Sequence, residues 1–348
     1  MKIGTLLNYS GDFLAAIDEV VALENAGLDA VWVPEAYSFD AVTVMGFLAA
    51  RTERIEIGSG ILPIYTRTPT LMAMTAAGLD ALSGGRAVLG LGASGPQVIE
   101  GFHGVTYDAP VGRTRETIEI CRQVWRREKV NFHGKHYDVP LPAGQGTGLG
   151  KSLKLINHPV RENIPILVAS LGDKNVEMTA EIANQWLPIW FWPERSQQVW
   201  GDSLAKGLAK RDQSLGPLDI IAGAAVAIGD DVDHLRELAR PMAALYFGGM
   251  GAKGKNFYNN VLQRYGYEEV AEELQDLYLA GRKDEAAALV PDELLASAAL
   301  IGSESFVKDR LRAMADAGVT YLNISPIAAT TAEKIAIVEQ LKSYIDEL

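Results

Sequence analysis

The sequence holds one cysteine, Cys121, in 348 residues. That excludes a disulfide framework and any metal site built on several thiolates. Histidine is scarce as well. The five histidines, His103, His133, His136, His158 and His234, show no metal-ligand spacing, so no metal centre is expected. Basic residues are outnumbered, 32 Lys+Arg against 44 Asp+Glu, for a formal charge of −12. A surface of that sign suits neither nucleic acid nor an anionic membrane, so the expected partner is a small molecule. No apolar run approaches the ~18 residues of a membrane span. The opening stretch Met1–Leu7 carries one charge, has no cleavage-site pattern and reads as a strand. A secretory leader is therefore not expected, and a cytoplasmic location is. Nor does any serine sit in a G-x-S-x-G elbow.

What the sequence does have is alternation. Short β-rich runs at Lys2–Leu7, Ala30–Glu35, Ile55–Ile64, Ala87–Ala93, Ile166–Ser170, Gln185–Phe191, Ile220–Ile228 and Tyr321–Ile327 make eight expected strands. Nearly all are followed by stretches of helical period, such as Phe13–Gly27, Leu71–Leu82 and Thr114–Arg127. Alternation of this kind implies a parallel sheet with right-handed crossovers. Eight units favour closure into a (β/α)8 barrel, a TIM barrel of class α/β, over an open sheet. The chain reads as one domain, 1–348, with two segments beyond the minimal repeat. The first, about 129–165 after strand 4, contains a hairpin turning at Gly134 and a Gly/Pro-rich loop. The second, about 245–303 after strand 7, has helical pieces and a flexible lead-in. Insertions in this fold usually sit on the βα side, where sites are assembled, so both read as substrate-covering elements. Surface decoration is the alternative.

Gly90, Gly92 and Gly95 spell G-x-G-x-x-G directly after a strand, the pattern of a dinucleotide-binding turn. The context fails, because Pro96, Gly101, Gly104, Pro110 and Gly112 leave no room for the long helix such a turn opens. A milder reading survives: the small residues Ala93, Ser94 and Gly95 at a strand end let a ligand approach the backbone closely.

Three stretches together resemble the bacterial luciferase-like superfamily: Trp32-Val33-Pro34-Glu35, Ile57–Pro63, and Thr68-Pro69 through Leu79–Arg86 into Val88–Gly92. Pro165–Gly172 and Ala180–Asn184 resemble that family's fifth strand and following helix. Within the superfamily the chain is most similar to the branch typified by methylenetetrahydromethanopterin reductase, whose cofactor is the deazaflavin coenzyme F420. The resemblance implies a barrel, usually homodimeric, with the cofactor at the C-terminal ends of the strands. It also implies a non-proline cis peptide at Gly60–Ile61, which with Pro63 would support the ring. The phosphate tail would lie near Ala169, Ser170, Gly172, Lys174 and Asn175, where a helix N-terminus offers amide donors. Asp173 is an odd neighbour for an anion and reads as a helix cap. Arg67 could meet an acidic cofactor tail.

Sugar-phosphate-oxidising relatives place a histidine after the acidic residue of the second strand and a carboxylate after the fourth. Here Ala36 and Gly95 stand there, which argues against oxidation of a hemiacetal hydroxyl by a positioned base. A hydride-transfer reductase tolerates both departures, since the cofactor carries the hard step. Glu35 is then the candidate acid/base, with a structural role at the strand end as its alternative. Tyr37, Trp190 and Trp192 are candidate pocket residues, and Tyr246, Phe247, Phe257 and Tyr258 a candidate lid. Cys121 shares a helix face with Ile118, Val124 and Trp125 and reads as core. The expected function is hydride transfer between C5 of F420 and a small organic substrate. An FMN-dependent monooxygenase of the same superfamily is the alternative, and a non-catalytic flavin or deazaflavin binder the second.

Overall fold

A computed structural model describes all of residues 1–348. The chain runs β1 (Lys2–Leu6), α1 (Phe13–Asn25), β2 (Ala30–Val33), α2 (Ala41–Arg51), β3 (Glu56–Ser59), β4 (Leu62–Pro63), α3 (Pro69–Ser83), β5 (Ala87–Gly92), α4 (Pro96–Gly101), α5 (Pro110–Trp125). It continues through β6 (Phe132–His133), β7 (Asp138–Val139), β8 (Ile166–Ala169), α6 (Asp173–Ile182), β9 (Gln185–Leu187), α7 (Ser196–Leu208), β10 (Asp219–Ile228), α8 (Arg240–Ala244), α9 (Phe257–Arg264). The remainder is α10 (Glu268–Leu279), α11 (Lys283–Ala288), α12 (Asp292–Ser297), β11 (Ala299–Gly302), α13 (Glu304–Asp316), β12 (Val319–Pro326) and α14 (Thr331–Asp346).

The parallel strands pair in the order β1-β2-β3-β5-β8-β9-β10-β12 and return to β1, a closed eight-stranded barrel. The third barrel strand is built from β3 and β4, both of which pair with β5. The peptide bond between Gly60 and Ile61, in the gap between them, is cis. Local chemistry sets the helix limits. Thr68 accepts a hydrogen bond from the Leu71 amide, Pro69 occupies the first turn, and Gly84 ends α3 at φ +69°.

The barrel interior is filled around Trp32, which is fully buried among Val88, Leu167, Ile221 and Tyr321. Room for its indole comes from glycines on the neighbouring strands. A Cβ on Gly58 would lie 2.6 Å from the Trp32 ring, and one on Gly4 2.8 Å from Nε1. The glycine motif after strand 4 has the same steric origin. A Cβ on Gly90 would sit 1.7 Å from the Ser59 carbonyl oxygen, and one on Gly92 2.7 Å from the Ile61 side chain. Only a short helix, α4, opens after Gly95. Cys121 is buried in the large outer core between barrel and helices.

Three features differ from expectation. First, β9 ends at Leu187, because Pro188 has no amide to donate and cannot continue the ladder. Trp190 and Trp192 therefore leave the strand and lose the shared parity expected of them. Second, 245–303 contains a further strand, β11, which pairs with the last four residues of β10 outside the barrel. Third, 129–165 lies between α5 and β8, on the αβ side. Its end is tied low on the barrel, where Arg161 donates to Asp80 and to the Ala87 carbonyl. Its β6–β7 hairpin climbs the outside of α5, and the buried Glu116 carboxylate accepts the amides of Lys135, His136 and Tyr137 at 2.8, 3.0 and 2.9 Å. No helix is long and apolar enough to cross a membrane.

Candidate functional site

Every expected site residue except Gly60, Ile61 and Pro63, which lie within the third barrel strand, falls at or just beyond the C-terminal end of a barrel strand, so the fold gathers them toward one mouth. They divide into groups that are already bonded and groups that are not.

Glu35 and Arg67 belong to the first group. Glu35 Oε1 and Oε2 accept from the two Arg67 Nη atoms at 2.6 and 2.9 Å, and Oε2 also accepts the Ala41 amide at 2.9 Å. The Arg67 guanidinium reaches Asp40 as well. The Glu35 and Arg67 side chains are 8% and 14% exposed, which makes this a desolvated bidentate pair. The hydrogen bonds that Arg67 donates to Glu35 raise the Arg67 pKa further, against the opposing effect of burial. Burial opposes ionisation of Asp40, but the Thr43 amide and hydroxyl and Arg67 hold its pKa below the usual carboxylate value. The acid/base role expected of Glu35 does not fit this geometry, because both oxygens are occupied in tying β2, α2 and the loop after β4 together. Arg67, fully engaged by carboxylates, is likewise not available to an acidic cofactor tail.

Beyond β8, the Ser170 hydroxyl is buried and bonds Thr179 Oγ1 at 2.9 Å, while its carbonyl accepts from Trp186 Nε1. Its hydroxyl is thus engaged inside the protein and is not free to donate to a ligand. The α6 N-cap is Gly172, with no side-chain cap, and Asp173 is instead held by Arg264 at 2.7 Å. Lys174 is exposed and forms no ion pair. The Asn175 side-chain oxygen is buried without a hydrogen-bond partner. Phe257 lies over this turn, its ring 3.4 Å from where a Gly172 Cβ would be.

Trp190 sits at φ +55° with its ring 6.3 Å from that of Tyr246 and 5.4 Å from that of Phe247. Its Nε1 is buried and unpartnered. Trp192, a candidate pocket residue, is 7% exposed and packs on Tyr265 and Tyr267 with Arg195 over its ring at 4.1 Å. Its ring is thus engaged within the insertion. Tyr37 is 69% exposed beside Phe102, on the outer rim. Beyond β5, Ser94 adopts φ +57° and its carbonyl accepts from the Tyr107 hydroxyl at 3.4 Å. Ala93, Ser94 and Gly95 thus form an open backbone turn, and Gly60, Ile61 and Pro63 line the adjoining strand end.

A set of tyrosines that periodicity did not single out as a group completes the mouth. The Tyr65 and Tyr107 rings are 5.1 Å apart, and those of Tyr246 and Tyr258 meet edge-on at 4.8 Å. Burial pushes the Tyr246 pKa up, with Tyr9 adding to it, and does the same for Tyr258, with Tyr246 and Tyr107 adding. Asn256, 1% exposed, clasps the two segments: its amide nitrogen donates to the Tyr246 and Phe247 carbonyls, and its oxygen accepts the Tyr258 and Asn259 amides. Tyr9 and Tyr107 stand in loops after β1 and α4; Tyr9 had one signal in the sequence, position just past a strand, and Tyr107 had none.

A family model described as luciferase-like monooxygenase matches residues 1–321. A protein of Mycobacterium tuberculosis provisionally named a coenzyme F420-dependent oxidoreductase is 42% identical over 341 residues, 97% of this chain and 98% of its own. The coenzyme F420-dependent tetrahydromethanopterin reductase of Methanopyrus kandleri superposes with a TM-score of 0.80 over 99% of both chains at 22% identity. The oxygenating constituent of 3,6-diketocamphane monooxygenase of Pseudomonas putida, solved with FMN, superposes at 0.64 over 98% of this chain and 96% of its own, at 18% identity. At such identities the two superpositions show the fold alone.

Proposed function

The chain belongs to the luciferase-like monooxygenase family, and from that premise we propose that this oxidoreductase binds coenzyme F420 and moves a hydride between the deazaflavin C5 and a small organic substrate. The likeness that carries the choice of cofactor is the 42% identity across 97% of the chain to a relative named for F420. The site fits such a group. The unpaired Lys174 and the side-chain NH2 of Asn175, which donates to nothing in the protein, flank an uncapped helix N-terminus, a setting that suits a phosphate. The open backbone at Gly60–Ile61 and Ala93–Gly95 would flank the ring, and Trp190 Nε1 offers a further unused donor. When bound, F420 supplies a two-electron hydride carrier whose position 5 is carbon, which does not react readily with dioxygen.

The protein's own part is to bind, orient and exclude water. Glu35, Arg67 and Asp40 brace the strand-2 and strand-3 ends, so that the backbone under the ring is fixed before a ligand arrives. With Glu35 engaged, the tyrosines are the groups at the mouth that keep a proton to donate in a hydrogen bond. An FMN-dependent monooxygenase is the second reading, favoured by the FMN-bound neighbour. The test is a fluorescence titration of the cofactor-free protein with F420, FMN and FAD. Micromolar binding of F420 in preference to FMN is expected, and preferential binding of FMN would sink the F420 reading.

We further propose that the protein acts as a homodimer through α2 and α3. Leu71, Met74, Gly78, Ala81 and Leu82 form one exposed stripe on α3, next to the exposed Phe47 on α2. The only charged residues of the two helices are Arg51 and Asp80, and Asp80 is fully buried. A Cβ on Gly46 or on Gly78 would meet nothing within 4 Å, so nothing within the chain requires glycine there. Mid-helix glycine costs roughly 0.5–1 kcal/mol relative to alanine, and close approach of a second copy's helices would account for it. Gly78→Arg is expected to shift the mass in sedimentation from two chains to one, and a monomeric wild type would refute the proposal.

A further inference from the structure

Six of the twelve tyrosines, Tyr9, Tyr65, Tyr107, Tyr137, Tyr246 and Tyr258, come from five separate connections and converge over the mouth. Most of the charge within reach of them is spent. Arg113, which lies over the Tyr65 and Tyr137 rings, is paired with Asp108. Arg67 is paired with Glu35 and Asp40. Two phenols also have settled partners: the Tyr65 hydroxyl donates to the Asp108 carbonyl and that of Tyr107 to the Ser94 carbonyl.

Tyr246 and Tyr258 differ. Neither hydroxyl has a hydrogen-bond partner, and neither is sealed from solvent, although both rings are packed into the insertion. Asn256 fixes the two backbones against each other, Trp190 backs the Tyr246 ring, and Tyr9 and Tyr107 face the pair from the loops after β1 and α4. The result is two preorganised O–H donors, held neutral by burial, inside an aromatic wall. A phenol without a partner can donate one hydrogen bond, and a carbonyl oxygen has two lone pairs and no proton of its own. A carboxylate or phosphate would instead call for a free cation beside the pair; the guanidiniums there are neutralised, and the unpaired lysines of the region, Lys174 and Lys255, extend as exposed side chains.

We propose that the hydroxyls of Tyr246 and Tyr258 form the site for the substrate's oxygen, and that the substrate is an uncharged carbonyl compound with an apolar body. This deepens the proposed hydride-transfer function and rests on it for the chemistry, while the oxygen site is defined by the tyrosines alone. The two are separated by measuring binding of cyclohexanone and of its hydrocarbon counterpart methylenecyclohexane, each with and without saturating oxidised F420, by calorimetry. The wild type should hold the ketone about tenfold tighter than the alkene, the worth of two modest hydrogen bonds. The infrared carbonyl stretch of the bound ketone should fall below its value in hydrocarbon solvent. In the double variant Tyr246→Phe/Tyr258→Phe the preference and the infrared shift should vanish, with an unchanged melting temperature and unchanged F420 affinity. A preference that survives in the double variant, or a wild type that does not discriminate the two probes, overturns the inference. Failure of F420 to bind while the preference behaves as stated would instead overturn the cofactor reading.

Discussion

The two sides of the barrel mouth are built on opposite terms. On the side of strands 1 to 4, the charged groups satisfy one another: Glu35, Arg67 and Asp40 form one network, and Arg113, Asp108 and Tyr65 another, while Trp32 Nε1 inside the barrel and His103 Nε2 beyond α4 have no partner. On the side of strands 5 to 7, Asn175, Trp190, Tyr246 and Tyr258 present polar atoms without partners. Burying an unpaired polar group costs about 1–3 kcal/mol, so a folded chain keeps few of them, and those it keeps need a reason. The first side is scaffold, closed and preorganised. The second is where a ligand can complete what the chain leaves open. Charge alone would have pointed the other way, toward the carboxylate of Glu35.

The contrast predicts where substitutions will be felt in stability. The largest effect is expected on the closed side. Arg67→Met leaves Glu35 buried with its charge uncompensated, at a cost of about 3–5 kcal/mol. Replacing both partners, as in Glu35→Met/Arg67→Met, should restore most of that loss. Urea denaturation of the three variants checks it, and an Arg67→Met protein as stable as wild type would mean the network is not scaffold.

Next in size is Asn256→Ala. It frees the Tyr246 and Phe247 carbonyls and the Tyr258 and Asn259 amides in a buried setting, an expected cost of about 2–3 kcal/mol. Unlike Arg67→Met, its effect should be local. Hydrogen exchange should accelerate across residues 245–265 and stay unchanged in the barrel strands. Uniform acceleration would show that the insertion and barrel open as one unit.

Much of this arrangement was readable in advance, and the boundary is physical. The eight strands and the barrel followed from period and count, because helices and strands obey local rules. The cis bond at Gly60–Ile61 followed from likeness of short stretches. Partnerships across long separations were not readable. Glu35 and Arg67 are 32 residues apart, and nothing local says that one will occupy the other. The shared parity of Trp190 and Trp192 did not hold because one proline, Pro188, ended the strand and with it the alternation on which that reading stood. The tyrosine arc assembles from five connections, so only the closed barrel brings it together. The 129–165 segment was placed by a general habit of the fold that its attachment through Arg161 and Glu116 overrides.

Smaller again is a pH effect. Burial raises the pKa values of Tyr107, Tyr246 and Tyr258 above the ordinary 10.0. The unfolded chain therefore releases these protons first as pH rises, and the native state binds more protons than the unfolded one. Stability from these groups is complete below about pH 10 and declines as pH climbs toward the raised native values. Each buried phenol should contribute a slope of up to about 1.4 kcal/mol per pH unit in that window. Urea melts at pH 9, 10 and 11 test it: Tyr258→Phe should flatten the decline by about one proton. A wild type equally stable from pH 9 to 11 contradicts the burial of these phenols.

The smallest expected change in stability separates the two sides most cleanly. Asn175→Ala removes an amide whose oxygen has no partner in the protein, so the native state loses no bond through that atom. Removing that unpaired buried oxygen offsets the packing lost with the amide, so stability should stay within about 0.5 kcal/mol of wild type. If the open side exists to receive the cofactor, the same variant should bind F420 about tenfold more weakly, because it loses the side-chain NH2 that can donate a charge-assisted hydrogen bond to an anionic tail. Asn175→Asp should be worse, since a carboxylate would face that anion. A calorimetric titration beside a urea melt decides between the alternatives. A variant that loses stability and keeps its affinity would place Asn175 with the scaffold, and the division between the two sides would have to be redrawn at α6.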